Sequence, residues 1–121
     1  MSKNQPTAVY LDDCAVNLLL FREMFKDDFN IMTTQNPKEA LDYVLNNNVD
    51  YLFTDHHMPD MTGIEFLQGL SKLELSNMKK VIVSAQVPER ELNSAFSQKL
   101  IDQVIDKPWT YSGLKSAIST I

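Results

Sequence analysis

A chain of 121 residues has room for one compact domain but not for two ordinary ones. Its composition, 44% hydrophobic and 22% charged, is that of a globular protein rather than a disordered one. The net charge of −5 without a basic run argues against unaided nucleic-acid binding, and the single cysteine excludes an internal disulfide framework.

Residues 1–6 show no apolar signal region behind them and are expected to be a frayed lead-in. The longest apolar runs are far short of a membrane span, and one free thiol fits a reducing compartment, so a cytoplasmic protein is expected. Ala8-Val9-Tyr10-Leu11 predicts a short strand, ended by Asp12-Asp13. From Val16 to about Lys26 the pattern is helical, with Asn17, Leu20, Phe21 and Met24 on one expected core face and Leu18 and Leu19 off it. A weak strand follows at Asn30–Thr34. Asn36, Pro37 and Glu39 then predict a capped helix start with a capping box, and Ala40, Leu41, Val44 and Leu45 its inner face. Asn46-Asn47-Asn48 ends that helix with residues that tolerate left-handed backbone.

Tyr51-Leu52-Phe53 reads as a strand buried on both faces, and Asp55 stands where it ends. After a turn from Pro59 to Gly63, Ile64, Leu67 and Leu70 mark a third helix. Lys80–Val83 is a fourth strand, ending at Ser84-Ala85. A helix from about Pro88 carries Leu92, Ala95, Phe96 and Leu100, with Glu89 and Glu91 suited to the positive end of its dipole. Gln103–Ile105 is a fifth strand, ending at Asp106-Lys107-Pro108, and Tyr111, Leu114, Ile118 and Ile121 share one side of a last helix.

Strict strand–helix alternation means a parallel sheet covered on both faces. The expected fold class is α/β: a flavodoxin-like (βα)5 three-layer sandwich over residues 1–121, ordered from about residue 7, with strand order 2-1-3-4-5. That order brings Asp12, Asp13, Asp55, Ser84 and Lys107 to one edge, outside the carboxyl ends of the strands where ligands collect in such sheets. Carboxylates packed together repel unless a cation is bound, and oxygen-only ligands suit a hard ion such as Mg2+. Lys107 supplies a point charge for a phosphate oxygen and Ser84 a hydroxyl donor. An Asp between a divalent ion and a Lys is equipped to become an aspartyl phosphate.

At these residues the chain resembles the receiver domains of two-component response regulators. The matching residues are Asp12-Asp13, Asp55-x-x-Met58-Pro59 with Gly63, Ser84-Ala85 and Lys107-Pro108, each at the end of the appropriate strand. The resemblance implies that Asp55 accepts a phosphoryl group from a phosphohistidine on a sensor histidine kinase or phosphotransfer protein. It implies Mg2+ (or Mn2+) held by Asp13, Asp55 and the backbone carbonyl of His57, with Asp12 acting largely through water. Ser84, Ala85, Lys107 and His56 would surround the phosphoryl oxygens, and the Lys107-Pro108 peptide would be cis. The function implied is a phosphorelay switch that modifies itself and changes its binding to a downstream target or output domain, with no separate metabolite as substrate and with room for a homodimer. The chain departs from the family at Val104, where Tyr or Phe is usual, and at Thr62, where Asp is common and a surface change is expected. His57 and Gln86 occupy positions that in this family tune phosphoryl lifetime.

Other readings attach to the same residues. The rival roles are a helix cap for Asp12-Asp13, a zinc site for His56-His57 and a plain turn for Lys107-Pro108. Ser84 lacks a nucleophile elbow, and Cys14 reads as a packing residue. A phosphohydrolase with an Asp nucleophile is the rival from another class, and a receiver cut from a longer regulator or hybrid kinase is the rival within the family. Leu18 and Leu19 read first as scattered apolar surface, with docking of a helical phosphotransfer partner as the hypothesis beside it.

Overall fold

The computed structural model describes residues 5–73, 75 and 77–121. Five strands alternate with five helices: β1 (Thr7–Leu11), α1 (Ala15–Phe25), β2 (Asn30–Thr34), α2 (Pro37–Asn46), β3 (Tyr51–Asp55), α3 (Gly63–Ser71), β4 (Lys79–Ser84), α4 (Glu89–Ser97), β5 (Gln103–Asp106) and α5 (Tyr111–Ile118). The strands form one parallel sheet of order β2-β1-β3-β4-β5, as the alternation predicts. The register sets Leu11 beside Thr54 and Ser84 beside Asp106, so the chain leaves adjacent strands at nearly the same level.

Side chains alternate across the strands, and this divides the core into two layers. Val9, Leu11, Leu52 and Ile82 face one way and pack with Ala40 and Val44 of α2, Phe66, Leu67 and Leu70 of α3 and Ala95 of α4. Ala8, Tyr10, Phe53, Val81 and Val83 face the other way, against Phe21 and Phe25 of α1 and Leu114 and Ile118 of α5. Phe21 is the hub of that second layer, its ring centroid 4.8 Å from Tyr10, 4.9 Å from Phe25 and 5.2 Å from Phe53.

Three helix starts are fixed by side chains. Asn36 accepts the Lys38 N–H, Thr110 accepts the Gly113 N–H, and Thr62 forms a full capping box with Glu65. Thr62 is therefore the stop and start of its loop rather than an idle surface residue. The box expected at α2 does not form: Glu39 accepts from the Thr34 hydroxyl, and that hydroxyl also accepts the Asn36 N–H.

Several expected faces are corrected. The inward stripe of α1 is Leu18, Phe21 and Phe25, whereas Leu20 is 52% and Met24 38% exposed. Apart from Asn17 both stripes are apolar at helical spacing and share Phe21, so periodicity alone did not separate them; the Tyr10 and Phe53 rings on the sheet select the one that adds Phe25. Leu45, Phe96 and Tyr111 are likewise exposed at the edges of their faces. Asn47 ends α2 in extended rather than left-handed backbone. Gln5 and Pro6 are not frayed, because Pro6 accepts the Asn30 N–H and Gln5 reaches the Asp27 carbonyl, while residues 1–4 lie outside the described residues.

Gly63 opens α3 hard against the end of β3. A Cβ there would lie 2.4 Å from the Asp55 carbonyl oxygen and 3.1 Å from the His56 Cα, both backbone. Gly69, in the same helix, has nothing within 4 Å of the corresponding position. Gly63→Ala is expected to cost about 1–3 kcal/mol in denaturant unfolding, as overpacking does. Gly69→Ala is expected to be neutral or to stabilise by about 0.5–1 kcal/mol, as Ala for Gly does inside a helix.

Candidate functional site

The carboxyl ends of β1, β3, β4 and β5 converge on one cluster. Asp12 follows β1 and is fully buried, Asp55 is the last residue of β3 and is 5% exposed, and Asp13 is exposed at the rim. One carboxylate oxygen from each of the three lies within 4.8 Å of the others. Lys107 enters from β5 and bridges two of them, with Nζ 2.8 Å from Asp12 Oδ2 and 3.1 Å from Asp55 Oδ1. Its backbone N–H is held by the Ser84 carbonyl at 3.1 Å, which ties the β5 end to the β4 end. The Lys107–Pro108 peptide is cis.

Three carboxylates against one ammonium leave the cluster short of positive charge. Burial, and then the Asp12 charge, push the Asp55 carboxyl above its usual range, and the Lys107 contact opposes this without cancelling it. Burial works to lower the Lys107 pKa, but the hydrogen bonds and charges of Asp12 and Asp55 outweigh it and hold the ammonium more firmly protonated. The donors around Asp12 are unusually complete. Oδ1 accepts the Cys14 N–H at 2.9 Å; Oδ2 accepts the Tyr10 hydroxyl at 2.5 Å, the Asn17 amide at 3.3 Å and Lys107.

Ser84 is buried, and its hydroxyl has no partner among the described residues. A buried unpaired donor is costly unless a ligand atom meets it. Ala85 is exposed beside it. The two histidine rings meet edge to face, centroids 5.0 Å apart, but find different partners. His56 is buried with Nε2 3.8 Å from Glu91 Oε1 on α4, its Nδ1 is unpaired, and burial lowers its pKa. His57 is exposed and its ring meets the Gln86 carbonyl, joining the β3–α3 loop to the β4–α4 loop.

All the acidic and basic residues expected at the edge are therefore brought together, and among the described residues the group placed to hold a metal is Asp12, Asp13 and Asp55. Neither Asp12 nor Asp13 caps α1 through its side chain; Cys14 is the N-cap residue, without a side-chain bond. The ring bridge from His57 and the donors Tyr10 and Asn17 were missed. Tyr10 carried a readable signal, since a tyrosine within an apolar strand needs a partner for its hydroxyl. Among the described residues no helix is long and apolar enough to cross a membrane.

The chain matches known proteins along almost its whole length. The family profile described as response regulator receiver domain matches residues 9–119. The chain is 27% identical over 114 residues to the chemotaxis protein CheY of Pseudomonas aeruginosa, covering 92% of this chain and 91% of that protein. It is 26% identical over 109 residues to the hydrogenase transcriptional regulatory protein HoxA of Cupriavidus necator, covering 90% of this chain but only 22% of that regulator. Among solved structures, chemotaxis protein CheY4 of Vibrio cholerae superposes with a TM-score of 0.86 at 16% identity, covering 97% of this chain and 98% of the other. Response regulator TrrA of Thermotoga maritima, solved with Mg(2+)-BeF, superposes with a TM-score of 0.81 at 22% identity, covering 96% and 98%. At those identities the structures establish a shared fold. With the family profile spanning residues 9–119, the chain belongs to the receiver domains of response regulators, the signalling switches of two-component systems.

Proposed function

We propose that Asp55 is the phosphoacceptor of this receiver, taking a phosphoryl group from a phosphohistidine on a histidine kinase or phosphotransfer protein. The observation that carries this reading is the Lys107 bridge between Asp12 and Asp55 inside a group of three carboxylates. An Asp55 carboxylate oxygen attacks phosphorus, the P–N bond to the donor imidazole breaks, and that imidazole leaves with its electron pair. Lys107 lies within reach of the incoming oxygens, and the unpaired Ser84 hydroxyl is a donor awaiting one. Ala85 and His56 complete the surroundings of the phosphoryl group.

The donor set fits a hard divalent cation, Mg2+ or Mn2+. It offers oxygen ligands, an excess of negative charge, and an Asp13 open to solvent. Asp13, Asp55 and the His57 carbonyl would hold the ion, with Asp12 acting through water; its chemistry would be to neutralise charge on the phosphoryl oxygens. The complex of the TrrA structure with Mg(2+)-BeF supports that assignment. The chain works as one cytoplasmic module whose phosphorylated form binds a target, either alone or within a longer regulator. The test is incubation with Mg2+ and acetyl phosphate followed by intact-mass measurement. One added phosphoryl group is expected, absent without Mg2+ and absent in Asp55→Asn; an unchanged mass, together with no response to beryllofluoride, would defeat the reading.

The donor protein has a surface to rest on. Val16, Leu19, Leu20 and Met24 of α1 are exposed, and Leu20 and Met24 line a groove with Pro108 and Trp109 that ends at Ala85 and Lys107. Leu18 is buried and is not part of it. Leu20→Asp is expected to slow transfer from the phosphohistidine partner by about tenfold or more while leaving labelling by acetyl phosphate unchanged. Equal loss with both donors would remove this face from docking.

The site also has a stability signature. The folded-state pKa of Asp55 lies above its ordinary 3.8, so the folded chain binds that proton more tightly than the unfolded chain does. Its ionised form therefore costs stability at neutral pH, and the cost fades as pH falls through the raised value toward 3.8. Without divalent metal, Asp55→Asn is expected to unfold at a higher temperature than the parent at pH 7, with the difference shrinking in acid.

A further inference from the structure

Resting on Asp55 as acceptor, we infer that Tyr10 is a positioning residue of the phosphoryl-transfer site: its hydroxyl carries the Asp12 carboxylate when Lys107 leaves it for the phosphoryl group. In the resting site Lys107 divides its ammonium between Asp12 and Asp55. When the ammonium turns one of its three N–H donors from Asp12 Oδ2 to an oxygen on phosphorylated Asp55, that carboxylate oxygen loses a donor. Asp12 is fully buried, so apart from a water on the cation the donors left to that oxygen are those already in contact with it. What remains on that oxygen is the Tyr10 hydroxyl at 2.5 Å and the longer Asn17 contact at 3.3 Å. The Cys14 N–H stays on the other oxygen, Oδ1.

Tyr10 is built to hold still. It has no exposed surface, lies on a central strand, and its ring sits against Phe21 at 4.8 Å and edge-on to Trp109 at 5.8 Å. Its hydroxyl is a neutral donor aimed at Asp12 Oδ2. A neutral donor also suits the task electrostatically. It steadies the carboxylate without adding a second positive charge that would compete with a cation for the cluster. The plainer account is a core tyrosine whose hydroxyl found the nearest acceptor. In that case its loss would not depend on what Lys107 is doing.

Tyr10→Phe keeps the ring and removes only the donor. Two quantities separate the accounts: Mg2+ affinity, from titration of Trp109 fluorescence with Mg2+ alone, and the labelling rate by acetyl phosphate at saturating Mg2+, from intact mass. The variant is expected to bind Mg2+ at least as tightly as the parent, because Asp12 keeps more of its negative potential. Its labelling is expected to slow by about ten- to a hundredfold, the weight of one hydrogen bond to a charged group. In a Lys107→Ala background the same change is expected to add no further slowing, because no ammonium is left to depart. Undiminished labelling, a parallel loss of Mg2+ affinity and rate, or an equal effect in the Lys107→Ala background would each overturn the role of Tyr10. Labelling of the parent chain separates this failure from failure of the acceptor assignment, which would take the Tyr10 role with it.

Discussion

One ammonium shared between two buried carboxylates organises the upper edge of this protein. Asp12, Asp55 and Lys107 come from three strand ends far apart in the chain, and Lys107 touches both acids within 3.1 Å. The pair of contacts holds the β5 end against β1 and β3. It nevertheless leaves a deficit of positive charge, and the raised pKa of Asp55 records it. The resting site is thus electrostatically poised: stable enough to form, but with unmet demand for a cation and a donor hydroxyl on Ser84 with nothing to bind. A perturbed acid beside an unsatisfied buried donor is where a fold gives up stability for chemistry.

Much of this was legible beforehand because it depends on topology. Strict alternation of strand and helix dictates a parallel sheet, and the strand order then decides which loop residues meet. Asp12, Asp13, Asp55, Ser84 and Lys107 could be placed together without knowing a single rotamer. The helix faces were less readable. In α1, Leu18 and Leu20 lie on competing apolar stripes, and only the aromatic side chains on β1 and β3 decide between them. In α2, Glu39 had the spacing of a capping box but found the Thr34 hydroxyl instead, a choice set by the neighbouring strand end. Side-chain bonds between loops, such as His57 to Gln86, have no local sequence signal at all.

Two contacts lead outward from the cluster. Where receivers usually carry an aromatic, β5 has Val104, half-buried and lining a hollow with His57, Ser84, Gln86 and Leu92. No ring on β5 is available there to rotate. The loop after β4 is tied instead to His57, and Asp12 is tied through Tyr10 to Trp109 beside the exposed face of α1. Both connections begin within the acidic cluster or beside it, and they end at the exposed Gln86 and the half-buried Trp109.

The most direct test of the account is chemical location of the phosphoryl group. After labelling with acetyl phosphate and Mg2+, borohydride reduction converts an aspartyl phosphate to homoserine, and peptide mapping reports the position. The account predicts a single homoserine at position 55. Reduction at another carboxylate, or a phosphoryl group that survives borohydride on a serine or histidine, would contradict it.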